Sequence, residues 1–363
     1  MTADQPTPPA GTKLSVRRVS KLYGPVTALA DTDLDMLEGE FLTLLGPSGS
    51  GKTTLLMIVA GLIEPSAGEV WIGGREATHT PPNQRDIGMV FQNYALFPHM
   101  TVAENIGFPL RMRRRPEAEI SGEVTRVLEM VQLPHVAGRL PKELSGGQQQ
   151  RIALARCMVY QPSIILMDEP LGALDRKLRD HMQMEIKELH KRLGITVLYV
   201  THDQEEALAM SDRICLMNNG RIEQLGTPED LYFRPRSAFV ADFLGESNIL
   251  DAEIAAAGTV RAAGGLVVRV HSTAGLAAGQ AVKVVIRPEA MRILEDGANA
   301  QNTATGTIAD TVFGGGVFRH FVAVQGGPTL LAKQFADRPG TIPRPGATVR
   351  LGWEADQTVV LTQ

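Results

Sequence analysis

The stretch that decides the fold is Phe41-Leu42-Thr43-Leu44-Leu45, followed by Gly46-Pro47-Ser48-Gly49-Ser50-Gly51-Lys52-Thr53-Thr54. The apolar run predicts a buried strand, and the residues from Lys52 to Ala60 predict a helix. Between them, the glycines match the G-x4-G-K-T pattern, in which backbone amides turn inward around phosphates at a helix N-terminus. We therefore expect residues 46–54 to bind ATP, with Lys52 on its β- and γ-phosphates and the Thr53 hydroxyl on Mg²⁺. A chance glycine-rich turn is the alternative, and the flanking strand and helix argue against it.

A second apolar run, Ile164-Ile165-Leu166-Met167, ends in two carboxylates, Asp168 and Glu169. Such a run predicts a buried parallel strand, and ligands of open α/β sheets bind at the carboxyl ends of their strands. We expect Asp168 to hold Mg²⁺, and Glu169 to orient and deprotonate the attacking water. Taken alone, such a pair usually lies in a solvated loop, so this interpretation depends on the phosphate loop.

Between these motifs lies Leu144-Ser145-Gly146-Gly147-Gln148, which a predicted helix follows. A serine hydroxyl and glycine amides at a helix N-terminus form an anion site, although a simple N-cap at Ser145 is the alternative. The pentapeptide matches the signature motif of the ATP-binding cassette (ABC) family, which the chain resembles from Leu14 to about Gly245. The resemblance implies that residues 144–148 contact the ATP held by the phosphate loop of a second copy, and hence that the chain acts as a homodimer.

Four further positions resemble the family in order along the chain. The resemblance implies that Tyr23 stacks on adenine, and that Gln92 senses Mg²⁺ and the attacking water while linking to membrane subunits. His202 corresponds to the switch histidine that touches the γ-phosphate, and Asp175 to the D-loop aspartate. Gly172 departs from the family, where serine is common. Taken alone, three of these residues have a structural alternative: Tyr23 as a core aromatic, Gln92 as a surface amide and His202 as a turn histidine.

Short apolar runs alternate with helical stretches over residues 14–245, which predicts an α/β domain with a largely parallel sheet. Further strands are predicted at 196–200 and helices at 102–112, 117–131, 148–159 and 178–192. Because strand-like runs are missing over about 95–160, we expect a helical subdomain there. Residues 1–13 are rich in Pro, Thr and Ala, and we interpret them as a disordered leader.

The composition changes after Gly245 to short β-like runs separated by glycine turns, which predicts a small all-β unit over residues 246–363. The segments 245–248, 286–289 and 351–354 resemble the TOBE-type domain of bacterial importer ATPases, an OB-like barrel. The expected fold class is therefore an α/β P-loop ABC-type ATPase domain with a helical subdomain, followed by a small all-β OB-like TOBE domain that serves dimerisation and regulation.

Bulk properties exclude some classes of function. The net charge is -4, with 36 basic and 40 acidic residues, so nucleic acid is not an expected partner. No segment approaches the ~20 apolar residues that span a bilayer. The two cysteines, Cys157 and Cys215, lie in apolar runs, as reduced thiols of a cytoplasmic protein do. We interpret the basic run Arg111-Met112-Arg113-Arg114-Arg115 as a solvated edge of the helical subdomain.

The resemblance implies an ATP hydrolase that powers a binding-protein-dependent importer from the cytoplasmic face of the cell membrane. Its expected partners are a second copy, two transmembrane permease subunits and, indirectly, an external substrate-binding protein. The junction Gly245-Glu246-Ser247-Asn248 lacks the Gly-Ser-Pro of the sugar-importing branch and is closer to the branch that imports spermidine and putrescine, or another small cation. Ferric iron or another small solute, an exporter ATPase and a soluble ABC ATPase remain the alternatives.

Overall fold

The computed structural model describes residues 11–172, 174–295, 297–336 and 343–362. The chain divides into two compact units, the first ending at Pro228 and the second beginning at Glu229. Within the described residues, no helix is both long enough and apolar enough to cross a bilayer.

The centre of the first unit is a six-stranded sheet in which five adjacent strands run parallel. Its strands are β3 (Phe41–Leu45), β6 (Ile87–Val90), β7 (Ile164–Asp168), β8 (Val197–Thr201), β9 (Arg213–Asn218) and β10 (Arg221–Gly226). Their order is β10-β9-β3-β8-β7-β6, and only β10 is antiparallel to its neighbour. β3 and β8 are buried at every position, because helices cover both faces of a parallel sheet. The predicted strands at 41–45, 164–167 and 196–200 are thus present, to within one residue at each end.

A second, antiparallel sheet lies beside the first in this unit and was not foreseen in the sequence. Its strands are β1 (Thr12–Tyr23), β2 (Val26–Leu37), β4 (Ala67–Ile72) and β5 (Arg75–Glu76), in the order β2-β1-β4-β5. One core joins both sheets through Leu14 and Val70 of the antiparallel sheet and Leu44 and Val200 of the parallel one.

Among the described residues of the first unit, six α-helices connect or cover the strands. They are α1 (Lys52–Ala60), α2 (Val102–Met112), α3 (Glu117–Met130), α4 (Gly146–Met158), α5 (Arg176–Leu193) and α6 (Gln204–Met210). α2, α3 and α4 occupy the stretch between β6 and β7, where the helical subdomain was predicted. The basic run at the end of α2 is solvated, with Arg111 paired to Glu117 and Arg115 paired to Glu119.

The second unit consists of two five-stranded antiparallel sheets around one core, preceded by two short helices. The helices are α7 (Pro228–Phe233), which spans the division, and α8 (Ala238–Phe243). The first sheet has the order β13-β12-β11-β14-β20 and the second β15-β19-β16-β17-β18. The strands are β11 (Asn248–Ala256), β12 (Thr259–Ala262), β13 (Val267–Arg269), β14 (Ala281–Ile286), β15 (Arg292–Ile293), β16 (Asn302–Phe313), β17 (Val317–Val324), β18 (Thr329–Phe335), β19 (Thr348–Trp353) and β20 (Thr358–Leu361). The shared core confirms the predicted all-β class of this unit.

Two predicted boundaries differ from those in the structure. Of the predicted leader, residues 1–10 lie outside the described residues, but Thr12 and Lys13 belong to β1, since Thr12 pairs with Leu37. The division also falls before α8 and not after Gly245. Ala241 of α8 packs with Val285 and Leu361, and its carbonyl accepts a 2.8 Å hydrogen bond from Arg287 Nη1. The helix therefore belongs to the β unit, although its composition resembles the preceding domain.

The second unit buries one histidine completely, His320 of β17. Its Nδ1 lies 3.0 Å from Thr311 Oγ1 and its Nε2 lies 3.2 Å from Gln334 Oε1. Because the Gln334 oxygen only accepts, Nε2 donates to it, and in the neutral ring Nδ1 accepts from the Thr311 hydroxyl. Burial accordingly lowers the pKa of His320.

We expect this histidine to make the second unit less stable in mild acid. Below the ordinary histidine pKa of ~6.5 the unfolded chain binds a proton that the folded unit refuses, so stability falls as the pH drops from there towards the lowered pKa. The slope is at most about 1.4 kcal/mol per pH unit. Urea unfolding, followed by the fluorescence of buried Trp353 in a Trp71→Phe background, measures it. His320→Gln should flatten the dependence, whereas His271→Gln, at an exposed position, should preserve it.

Candidate active site

Four parallel strands deliver the predicted catalytic residues to one edge of the sheet. β3 leads into Gly46, β7 into Glu169 and β8 into His202, and β6 ends two residues before Gln92. Registers pair Leu45 with Thr201, Asp168 with Val200, and Val90 with Met167, so the strand ends are level. Because ligands of such sheets bind beyond the carboxyl ends, this edge is the candidate site.

The phosphate loop, residues 46–51, requires glycine at two positions because backbone passes close to it. A β-carbon on Gly46 would lie 2.2 Å from the Met217 carbonyl oxygen, and one on Gly51 would lie 2.8 Å from that of Ala28. Both glycines also have positive φ, at +153° and +100°. The loop therefore folds against β2 and β9, immediately before the start of α1.

The first turn of α1 is prepared for an anion. Its N-cap is Gly51, no side chain caps it, and no acidic residue lies in its first turn. The exposed Thr53 and the half-buried Thr54 add hydroxyls at the same end, and Pro47, Ser48 and Gly49 form the rim of the loop. The N–H groups and the helix dipole thus favour a phosphate at this point.

Lys52 is almost fully buried, and its ammonium group binds the loop itself. Lys52 Nζ donates to the carbonyls of Gly46 at 2.8 Å and Pro47 at 2.9 Å, and it lies 3.4 Å from Ser50 Oγ. Burial lowers the pKa of Lys52, and the carboxylates of Glu169 and Asp168 oppose that shift. The loop carbonyls and the two carboxylates thus offset part of the cost of burying this cation, at the place where the phosphates of a nucleotide belong.

The predicted metal ligands Thr53 and Asp168 are brought together across the sheet edge. Thr53 Oγ1 lies 3.5 Å from Asp168 Oδ1, and burial, together with the neighbouring Glu169, raises the pKa of Asp168. A nearby cation stabilises the charged form of a carboxylate whose pKa is raised in this way. Hydroxyl and carboxylate oxygens are also the donors that Mg²⁺ prefers. These residues fit a magnesium ion.

Glu169 has a backbone conformation that is unusual for its residue type. Its φ is +45°, while its amide donates to the Val200 carbonyl at 3.0 Å and its carbonyl accepts from Gly172 at 3.2 Å. These two hydrogen bonds hold the left-handed turn that directs the carboxylate beyond the strand end. There Glu169 Oε1 lies 3.2 Å from His202 Nδ1, so the predicted base and switch residue are in contact.

Gly172 lies close to both Gln92 and Glu169. A β-carbon on Gly172 would be 3.7 Å from Gln92 Nε2 and 3.9 Å from Glu169 Oε2. The Gln92 amide and the carboxylate that we predicted as the base therefore border the same small space. Because position 172 is glycine where the family commonly has serine, this space is left to the side chains of Gln92 and Glu169.

The signature segment forms a capped helix start, which is the structural alternative that its sequence offered. Ser145 Oγ accepts from the Gln148 amide at 3.3 Å, and Gln148 Oε1 accepts from the Ser145 amide at 3.0 Å, a capping box. Leu144 is buried, Ser145 is exposed and Gly146 is half-buried. Asp175 caps α5 in the same way through the Leu178 amide at 2.9 Å. Tyr23 ends β1 with half of its surface exposed, and Lys21 Nζ lies 5.1 Å from its ring centre.

Comparison with known proteins gives family matches in both units. A family model described as ABC transporter matches residues 29–172, and one described as TOBE domain matches residues 284–361. The spermidine/putrescine import ATP-binding protein of Rubrobacter xylanophilus is 45% identical over 95% of this chain and 93% of its own length. That of Nitratidesulfovibrio vulgaris is 46% identical over 96% of this chain and 97% of its own length.

The chain belongs to the ABC transporter family of ATP-binding proteins. Among solved structures, a dimeric ATP-binding cassette in a post-hydrolysis state bound to ADP and Pi has 36% identity and a TM-score of 0.53, covering 59% of this chain and 98% of its own. A component of the cbiONQ ABC transporter complex of Clostridium perfringens has 28% identity and a TM-score of 0.57, covering 61% and 90%. The expected family, fold class and ATP-hydrolase class are thereby confirmed.

Arg156 of α4 also supports the site of this ABC protein and was missed in the sequence. Arg156 Nη1 donates to the Ala95 carbonyl at 2.6 Å and Nη2 donates to that of Tyr94 at 2.8 Å. Both acceptor residues have positive φ, at +47° for Ala95 and +60° for Tyr94, so the guanidinium holds a strained turn just after Gln92. The available signal was a charged residue inside an otherwise buried helical run.

We expect Glu169→Gln to keep ATP binding and slow hydrolysis by roughly 10²–10⁴-fold, since that is the contribution of a positioned general base. Steady-state phosphate release and equilibrium binding of a fluorescent ATP analogue measure the two properties. Glu188→Gln, an exposed carboxylate on α5, is the matched control and should behave as the wild type. Turnover of Glu169→Gln at the wild-type rate would show that another group is the base.

Proposed function

We propose that this chain is the ATP-hydrolysing subunit of a binding-protein-dependent importer of spermidine, putrescine or a related small cationic solute. The observation that carries the proposal is the near full-length likeness to spermidine/putrescine import ATP-binding proteins, which spans both units. The TOBE match over residues 284–361 supports an importer over an exporter. The chain then works at the inner face of the cell membrane.

The geometry supports a division of roles in hydrolysis. The amides of residues 46–51 and Lys52 hold the phosphates, and Tyr23 stacks on adenine with the face that Lys21 leaves open. Glu169 accepts the proton of the attacking water, while His202, 3.2 Å from it, keeps that carboxylate oriented and faces the γ-phosphate. Bound Mg²⁺ would neutralise phosphate charge, and Thr53, Asp168 and Gln92 are the residues that would hold it.

A second copy of this chain completes the site in our proposal. The exposed Ser145 and the half-buried Gly146 present a helix N-terminus, which favours an anion supplied from outside the chain. A solved cassette that is 36% identical is described as dimeric and bound to ADP and Pi. We infer that residues 144–148 of one protomer close on the ATP held by Lys52, Thr53 and Asp168 of its partner.

Ser145→Arg tests this composite site. The bulky cation should enter the γ-phosphate position of the partner and abolish turnover, while ATP binding at Lys52 and Thr53 persists. Mixing inactive Ser145→Arg subunits with inactive Lys52→Ala subunits should restore part of the activity, because a mixed dimer contains one site without either change. If the mixture stays inactive while both variants bind each other, or if Ser145→Arg alone is fully active, the composite site is refuted.

The transmembrane permease subunits are further proposed partners, and the helical subdomain offers them a surface. A cleft of about 330 Å³ lies between the end of α2 and the start of β6, lined by Phe108, Met112 and Tyr160. Met112 exposes two thirds of its surface, at 67%. An external substrate-binding protein would act only through the permeases.

The junction from Glu246 to Asn248, whose sequence resembles that of polyamine importers, has structural roles in the second unit. Asn248 Nδ2 donates to the Leu331 carbonyl at 2.8 Å, and its Oδ1 accepts from the Leu331 amide at 2.7 Å. Glu246 pairs with Lys333 at 3.0 Å and Arg319 at 3.3 Å. These contacts tie β11 to β17 and β18, so the substrate proposal depends on the relatives and not on the junction.

Reconstitution with the permeases and the binding protein tests the substrate. We expect spermidine or putrescine to stimulate ATP hydrolysis in liposomes, and maltose, sulfate and ferric iron to leave it unchanged. Glu169→Gln complexes, which assemble but do not turn over, give the background. Stimulation by ferric iron alone would replace the polyamine with the next candidate solute, and failure to bind any membrane protein would refute the importer.

A further inference from the structure

Arg179, in the first turn of α5, joins two loops of the active site that the sequence separates. Arg179 Nη2 donates to the Leu174 carbonyl at 3.1 Å, and Nη1 pairs with Asp203 Oδ2 at 2.9 Å. Its Nε lies 3.8 Å from Glu206 Oε1. One planar guanidinium thus bridges the loop after β7 and the loop after β8, which a point charge on a flexible stem cannot reproduce.

On the first side of this bridge, Leu174 connects to the signature helix. Leu174 is 8% exposed, and its Cδ2 lies 3.2 Å from the position of a β-carbon on Gly146. Asp175, the predicted D-loop residue, follows directly and caps α5. A shift of the signature segment therefore displaces the residue whose carbonyl Arg179 holds.

On the second side, the bridge fixes both residues that flank His202. The Asp203 amide donates to Thr201 Oγ1 at 3.0 Å, and Asp203 Oδ1 caps α6 through the Glu205 and Glu206 amides. The Thr201 hydroxyl in turn donates to Glu206 Oε2 at 2.7 Å. His202 is thereby held where its Nδ1 meets Glu169.

We propose that Arg179 is a positioning residue that links the D-loop to the switch histidine, so that closure of the signature segment on ATP aligns His202 with Glu169. The inference rests on the roles proposed above for these two residues. It extends them by assigning the transmission between the two halves of the site to a group that does not touch the nucleotide.

The charge of Arg179 also has a local reason to be present. Glu206 is 2% exposed, and burial raises the pKa of its carboxyl, although Thr201 and Tyr199 both donate to it. Loss of the Arg179 cation would leave the carboxylates of Asp203 and Glu206 without a compensating charge, which destabilises a buried site. A test must therefore keep the positive charge at position 179 and remove only the planar guanidinium that reaches both loops.

Arg179→Lys does this, and Arg176→Lys is its matched control. Arg176 lies three residues earlier on the same helix, with 82% of its side chain exposed. We expect Arg179→Lys to lower kcat for ATP by roughly 10–100-fold, with KM changed by less than about twofold, because a misplaced catalytic group affects turnover more than binding. Arg176→Lys should leave both values unchanged.

Asp203→Asn removes the same bridge from the other end, while asparagine still caps α6. It should lower kcat to the same extent, and the double variant Arg179→Lys/Asp203→Asn should lose no more than either single variant. This non-additivity distinguishes a link from two independent structural effects.

Normal kcat in folded Arg179→Lys, additive losses in the cycle, or a parallel rise of KM would each overturn the inference. If Arg179→Lys does not fold, Asp203→Asn alone decides, by the same split between kcat and KM. Glu169→Gln, measured in parallel, distinguishes this outcome from failure of the proposed chemistry. If Glu169→Gln turns over at the wild-type rate, Glu169 is not the base, and the proposed chemistry fails whatever Arg179 does.

Discussion

The close approach of backbone to the phosphate loop is the constraint on which the rest of the site depends. Gly46 passes under the Met217 carbonyl and Gly51 under that of Ala28, and the Gly220 amide donates to the Ser50 carbonyl at 3.1 Å. The loop is thus held between β2 and the β9–β10 turn, two elements distant from it in sequence. Only a clamped loop keeps its amides turned inward, since amides free to rotate would be solvated individually.

This clamp also explains why Lys52 can be buried without a carboxylate in direct contact. Its ammonium is satisfied by two loop carbonyls, and the carboxylates beyond the strand ends favour its charge at longer range. Phosphate oxygens would replace carbonyl acceptors of modest strength and gain a charge-assisted interaction. When a nucleotide binds, the Lys52 ammonium would therefore exchange one set of hydrogen-bond acceptors for a stronger one.

The sequence predicted the parts of this structure that depend on local pattern. Strands 41–45 and 164–167 and helices 52–60 and 102–112 follow from apolar runs and periodicity, and the site residues follow because parallel strands end at one edge. The antiparallel sheet was missed, since β1 pairs with β4 across about fifty residues of chain. Arg156 and Arg179 were missed for the same reason. Their partners are carbonyls and carboxylates brought near only by tertiary folding, and nothing in a local pattern indicates them. The domain boundary was misplaced because α8 resembles the α/β domain in composition but packs on β14 and β20.

The long-range contacts that sequence did not indicate are those that connect the catalytic parts. Glu169 keeps its left-handed φ through hydrogen bonds to Val200 of β8 and to Gly172 in its own loop. Strain of this kind persists only where the surroundings determine the conformation, so a change in the strand or in the loop alters the direction of the carboxylate. Arg156 fixes the turn after Gln92 from α4, and α4 begins at the signature serine. The same helix therefore connects the start of the signature segment with the loop that follows Gln92. Movement of α4 as a rigid body would change both together, which gives an ATPase of this family a physical means to tie hydrolysis to movement of the signature segment.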